Sequence, residues 1–198
     1  MKEIICLFDP LCGWCYGASN GLAKLSAQPD TQVRLLPTGL FSRSGRMMDA
    51  EFAEYAWRND EKIAALTGAV FSQAYRTQVL AAHGQPIDSL AAVQSLTAVE
   101  QTAPQRETEA LIAIQTARYA DGLDITDTTV LADILRTMHL NQAAERLGSA
   151  DVAAAAQEHI ESGRRLAQQY GLNGVPALLV REGAADTLRV ADNRILFR

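Results

Sequence analysis

Positive charge is what this chain has least to spare. It carries 18 Lys and Arg against 23 Asp and Glu, a net charge of −5, and its basic residues are scattered. Nonspecific nucleic-acid binding leans on excess Lys and Arg, so that class is excluded, and no basic run marks a membrane-surface patch. No apolar stretch approaches the roughly 20 residues that span a bilayer. There are 3 cysteines in 198 residues, too few for a disulfide-stapled scaffold. The opening run IICLF is too short for a secretory core and has no small-residue cleavage site behind it, so a cytoplasmic protein is expected. Aromatics make up only 6% of the chain, while 48% is apolar and 21% charged, an ordinary globular balance.

What is present begins at residues 3–8, EIICLF, a nearly continuous apolar run that reads as a central parallel strand buried on both faces. A helix follows, with Cys15, Ala18, Leu22 and Leu25 on one face, running out near Pro29; residues 32–36, QVRLL, read as a second strand. From about residue 42 to 170 helical spacing dominates. Phe52, Tyr55, Asn59 and Ile63 form one stripe, closed by Gly68, and Phe71, Tyr75 and Val79 another. A helix capped by Asp88 runs through Val99 to a break at Pro104, and residues 106–120 turn Ala110, Leu111, Ile114 and Ala117 inward. Thr128 or Thr129 caps a helix with Val130, Ile134, Leu135 and Met138 inward. Ser149 caps a long one whose face holds Val152, Ala156, His159, Gly163, Leu166 and Tyr170, ended by Gly171. Strand signals return at 177–181 and 187–190, joined by a turn through Glu182 and Gly183.

The segment FDPLCGWCYGAS, residues 8–19, places two cysteines two apart where strand gives way to helix. A zinc site needs four ligands, and Cys6, His83, His139 and His159 have no ligand spacing, so no metal is expected. A redox pair has a mechanism. Cys12 falls at the helix start, where unpaired N–H groups favour a thiolate, and Cys15 lies one turn in on the inward face. One sulfur is then open and reactive, and the other is a buried resolving thiol. Cys6, within a strand, reads as core. His159 reads as a satisfied core histidine. Asp9 is open between a turn or capping role and a proton relay to the buried thiol. Trp14, between the cysteines, reads as exposed and in contact with substrate.

Strand, Cys12-Gly-Trp-Cys15 at a helix start, second strand, helical block, then Gly174-Val175-Pro176 before a hairpin resembles the DsbA family, closest to its FrnE-like and predicted protein-disulfide isomerase members. The stretch ALIAIQTARYADGLDITDTTVLADIL around residues 111–135 is similar to their insertion. The resemblance implies an α/β, thioredoxin-like fold with a large all-helical insertion: residues 1–41 and 157–198 form the thioredoxin-like domain and 42–156 the insertion. It implies that Pro176 is the family's cis-proline beside the redox pair, and that Val175 offers its backbone to a substrate strand. The activity implied is thiol–disulfide exchange of the isomerase or reductase type by Cys12 and Cys15, on a protein or small-molecule thiol or disulfide. It needs no bound cofactor, with glutathione a candidate redox partner and a dimer one option for assembly. Two alternatives share the fold class: a glutathione-dependent transferase or isomerase of the kappa type, which uses a serine where this chain has cysteine, and a redox-inactive binding or chaperone module. The chain departs from the family in Gly13, where oxidising members often have proline. It also lacks a helical run after the last strand, so one sheet face needs cover from the insertion, a partner or further residues.

Overall fold

The computed structural model describes residues 2–183 and 187–197. Strand β1 (Lys2–Phe8) lies between β2 (Thr31–Pro37) and β3 (Ala177–Glu182), with β4 (Arg189–Ala191) outside β3. The sheet is mixed, since β1 runs parallel to β2 and antiparallel to β3. Its two-sided burial explains the unbroken apolar run: Ile4, Cys6 and Phe8 face one layer, and Ile5 and Leu7 the other. The last strand starts two residues later than the apolar pattern suggested, at Arg189. Its pairing with β3 holds only Leu178 to Val180. Part of the connection between these strands, residues 184–186, lies outside the described residues.

The first layer begins with α1 (Gly13–Gly17) and α2 (Ser19–Ser26). These are two helices where the spacing suggested one, although Cys15, Ala18, Leu22 and Leu25 all face the core as expected. The break follows Gly17, whose missing side chain admits Ile63: a Cβ there would lie 2.4 Å from the Ile63 Cγ2. Then come α3 (Ala50–Thr67), a π-helical turn over Tyr75–Leu80, α4 (Leu90–Thr102), α5 (Glu107–Tyr119), α6 (Thr128–Thr137), the short α7 (Asn141–Arg146) and α8 (Ala150–Gln169). The cap of α6 is Asp127, which accepts from the Thr129 N–H at 2.7 Å; the threonines follow it instead of capping. Helix α7 escaped the periodicity because it makes fewer than two turns.

The second sheet face is covered by α8. Leu166, Ala167 and Tyr170 pack on Ile5, Leu7, Leu36, Ala177 and Leu179. The approach is close because Gly163 has no side chain: a Cβ there would meet the Pro37 carbonyl oxygen at 2.2 Å. Cover for that face therefore comes from the C-terminal half of α8 with its cap, residues 163–170, beyond the 42–156 segment expected as the insertion. On the first face, a terminal 3-10 turn (Asn193–Phe197) seats buried Leu196 against Gly21 of α2.

Two expected inward stripes hold in part, with Phe52 and Ile63 on the core in α3 and Val152, Ala156 and Gly163 buried in α8, and differ at single positions. In α3 the buried positions are Asp60 and Ile63, whereas Tyr55 is 62% exposed. In α8 the core position is Ile160, and His159 sits at the rim with its Nε2 3.4 Å from the Glu100 carboxylate. His159 is thus a paired rim residue and not a core histidine.

Candidate active site

Where β1 ends, a turn built on Asp9 aims the chain into α1. The Asp9 carboxylate accepts from the Leu11 N–H at 2.9 Å, the Phe41 N–H at 3.0 Å and the Ser89 hydroxyl at 2.9 Å. Its carbonyl accepts the Cys12 N–H at 3.1 Å. Of the two roles left open for Asp9, this geometry is that of a turn-capping group whose oxygens are occupied.

Cys12 is the N-cap of α1, with extended φ and ψ of −89° and 116°. The expectation of an open sulfur needs correction, because Cys12 is only 7% exposed against 4% for Cys15. What separates the two is their surroundings. The Cys12 thiol donates to the Val175 carbonyl at 3.6 Å, across from the cis Val175–Pro176 peptide that leads into β3. Val175 in turn lines a groove of about 440 Å³ with Trp14, Leu172, Asn173, Pro176 and Phe197. Trp14 is 37% exposed and meets Phe197 edge-on at 5.8 Å. Sequence reasoning missed Phe197 and Asn193, whose side-chain amide donates to the Pro176 carbonyl at 3.0 Å. Six of these groups come from the far end of the chain, where local pattern carries no sign of Cys12.

Cys15 is held as a thiol. Burial pushes its pKa well above the ordinary cysteine value, and a hydrogen bond with the Cys12 sulfur and charge on that sulfur push the same way. Cys6, on β1 and 2% exposed, is pushed up to about 12 by burial alone, as suits a core thiol. A neutral buried thiol next to a sulfur bonded to a groove-lining carbonyl is the division of labour that disulfide exchange requires.

Beneath the motif lies an arrangement the sequence did not disclose. The scarce aromatics concentrate here. Tyr16 stacks on Tyr119 at 4.8 Å, and Phe71 and Tyr75 meet Tyr119 edge-on at 5.2 and 4.9 Å. Tyr119 donates to the Leu11 carbonyl at 2.8 Å, and Tyr75 to the Asp60 carboxylate at 3.1 Å. Arg118 is buried beside both rings, its guanidinium carbon 5.6 Å and 5.7 Å from their centres. Asp60 presses on the motif itself: a Cβ on Gly13 would lie 2.4 Å from its Oδ1. Burial raises the Asp60 pKa to about 7, opposed by the Tyr75 hydrogen bond and the Arg118 charge. The available signal was the small-residue stripe Ala53, Ala56, Asp60, Ile63 at helical spacing, in which a carboxylate occupies a core position.

Among the described residues, no group of three His, Cys, Asp or Glu side chains is placed to hold a metal ion, and no helix is long and apolar enough to cross a membrane. No curated protein sequence matches the chain. Among solved structures, it is similar to the cytosolic disulfide reductase DsbM from Pseudomonas aeruginosa, at 27% identity and a TM-score of 0.89, covering 98% of this chain and 91% of that one. A structure of the same reductase with GSH gives 28% identity, a TM-score of 0.86 and coverage of 98% and 92%. Reduced DsbA1 from Neisseria meningitidis shares the fold at 14% identity and a TM-score of 0.52, covering 93% and 76%. The family model described as a DSBA-like thioredoxin domain matches residues 3–193, and with a thioredoxin-like sheet, an inserted helical block and a dithiol opening α1, the chain belongs to that family.

Proposed function

We propose that this protein is a cytoplasmic disulfide reductase in which Cys12 is the nucleophile, Cys15 the resolving thiol and glutathione the redox partner. The observation that carries this reading is the asymmetry of the pair. Cys12 bonds the carbonyl of Val175, a residue that lines the groove, while Cys15 is buried and held protonated. Similarity to a cytosolic disulfide reductase, one structure of which is with GSH, supports the compartment, the direction and the partner.

The steps balance without a bound cofactor. The Cys12 thiolate attacks one sulfur of a substrate disulfide, forming a mixed disulfide and releasing the other sulfur as a thiolate. That attack frees the Val175 carbonyl, which the Cys12 thiol occupies at rest, to accept from a substrate N–H. Cys15 then gives up its proton and attacks the Cys12 sulfur. The second substrate thiolate leaves, and a Cys12–Cys15 disulfide remains. Two glutathione molecules restore the dithiol and leave as glutathione disulfide. Trp14 and Phe197 form the apolar wall against which the substrate chain lies.

Trapping tests the assignment. Cys15→Ser incubated with glutathione disulfide is expected to accumulate one glutathione on Cys12, seen by intact and peptide mass, and to lose insulin reduction. Cys12→Ser is expected to accumulate none. Equal trapping by both variants, or insulin reduction surviving in Cys12→Ser, overturns the roles.

A further inference from the structure

We infer that Asp60 is a positioning residue for the dithiol, a buried carboxylate seated against the backbone of Gly13 that opposes the Cys12 thiolate when ionised and so holds the protein toward the reducing side. The inference rests on the role proposed above for Cys12 as nucleophile.

The contact is geometric. Gly13 separates Cys12 from Trp14, and the space that a side chain at Gly13 would fill is taken by the Asp60 Oδ1, 2.4 Å from the Cβ position. The carboxylate therefore lies one residue from the nucleophile, and it is 4% exposed, so water screens it little. A continuous set of contacts joins the two. Asp60 accepts from Tyr75, Tyr75 meets Tyr119 at 4.9 Å between ring centres, and Tyr119 donates to the carbonyl of Leu11, next to Cys12. Ionisation of Tyr119 is opposed by charge at both Asp60 and Cys12, which places all three groups in one field. Glycine at position 13 is what admits the carboxylate. A proline or any other side chain there would displace it.

The sign follows from the groups that face Asp60. Tyr75 and Tyr119 stay neutral because burial pushes both phenols up, and Cys15 stays a thiol for the same reason. Arg118 is the one cation among the described groups facing Asp60, and its charge favours ionisation of that carboxyl. A protonated Asp60 carries no charge to oppose the Cys12 thiolate. An ionised Asp60 disfavours a second negative charge one residue away. Destabilising the thiolate destabilises the reduced state. The dithiol then gives up its electrons more readily.

The test compares Asp60→Asn, which keeps an acceptor for Tyr75 and removes the charge, with Asp60→Glu, which keeps the charge. In Asp60→Asn the rate of Cys12 alkylation by iodoacetamide against pH is expected to move to lower pH. The thiolate-to-thiol ratio at pH 7.5 should rise about tenfold, the effect of a like charge at this range. The potential measured in glutathione buffers should become less negative by at most about 30 mV, the limit that same factor sets. Asp60→Glu should keep the parent curve, which distinguishes charge from packing. A parent-like curve and potential in Asp60→Asn overturn the inference. Should Asp60→Asn fail to fold, carbon-13 NMR of aspartate-labelled, unmutated protein decides. Its Asp60 carboxyl should titrate at higher pH in the reduced than in the oxidised protein, and identical titrations overturn the inference. All these readings are taken on the resting dithiol, so they stand or fall apart from insulin reduction, whose loss would sink the catalytic reading alone.

Discussion

Two buried carboxylates flank the dithiol, and the chain treats them differently. Asp9, in the turn between β1 and α1, is fully buried and receives two backbone N–H groups and the Ser89 hydroxyl. Asp60, on α3, is almost as buried, yet its hydrogen-bond donor is the Tyr75 hydroxyl, with Arg118 nearby as a charge. Burial pushes both pKa values up; at Asp9 several hydrogen-bond donors oppose it, and at Asp60, raised to about 7, the Tyr75 hydroxyl and the Arg118 charge do. The difference separates structure from tuning. A carboxylate whose oxygens are all engaged fixes a backbone, and one with a single neutral donor remains free to change charge near physiological pH.

The comparison is broken most directly at Asp9. Asp9→Ala leaves the Leu11 and Phe41 N–H groups and the Ser89 hydroxyl without their acceptor in a dry site, each at about 1–3 kcal/mol. A loss of about 3–5 kcal/mol in urea unfolding is expected, together with misplacement of Cys12, whose own N–H bonds the Asp9 carbonyl. A loss below about 1 kcal/mol would mean that the turn does not depend on this side chain.

At Asp60 the expected effect is of similar size but appears only with pH. The native carboxyl titrates at about 7, against 3.8 for the free group. Between those values the folded protein holds a proton that the unfolded chain has lost, so stability falls as pH rises and levels off above about 7. Asp60→Asn lacks that fall. Its stability relative to the parent should grow between pH 4 and pH 7.5 by up to about 4 kcal/mol, at 1.36 kcal/mol per unit. Glu107, raised to about 8 mainly by burial and the Glu100 charge, adds its own slope to both proteins and cancels in the difference. A pH-independent difference between Asp60→Asn and parent would show that Asp60 is charged throughout this range.

These two carboxylates also mark how far sequence alone could reach. Strands β1, β2 and β3 and the helix start at Cys12 were legible because each is a local pattern: an apolar run with a turn residue behind it, or two cysteines two apart. Asp9 was visible as a candidate because it lies three residues from Cys12. Asp60 was not, because apolar periodicity assigns a carboxylate to the solvent side, and the stripe, right at Phe52 and Ile63, ran through Tyr55 and Asn59 instead. The same rule put His159 in the core where Ile160 lies. The break between α1 and α2 depends on Ile63, a contact nearly fifty residues away that no local signal carries. Phe197 reached the groove by the same kind of long-range placement.

The smallest expected effect separates the donors. Tyr75→Phe removes the hydroxyl that bonds Asp60 and leaves the ring stack on Phe71 and Tyr119 in place. At pH 5 Asp60 is protonated, and loss of a neutral hydrogen bond should cost about 1 kcal/mol. At pH 8 the bond lost is one to a charged group, worth about 1.5–3 kcal/mol, so the cost should grow with pH. The titration of Asp60 should move further up, since the bond that favoured its ionised form is gone. Ser89→Ala is the matching change at Asp9. There two backbone donors remain to hold the carboxyl group, so a cost of about 1–3 kcal/mol that varies less between pH 5 and pH 8 is expected. Urea unfolding of both variants at the two pH values reads the contrast. If the cost of Tyr75→Phe varies with pH no more than that of Ser89→Ala, then Asp60 does not change charge in this range, and the distinction between the two carboxylates fails.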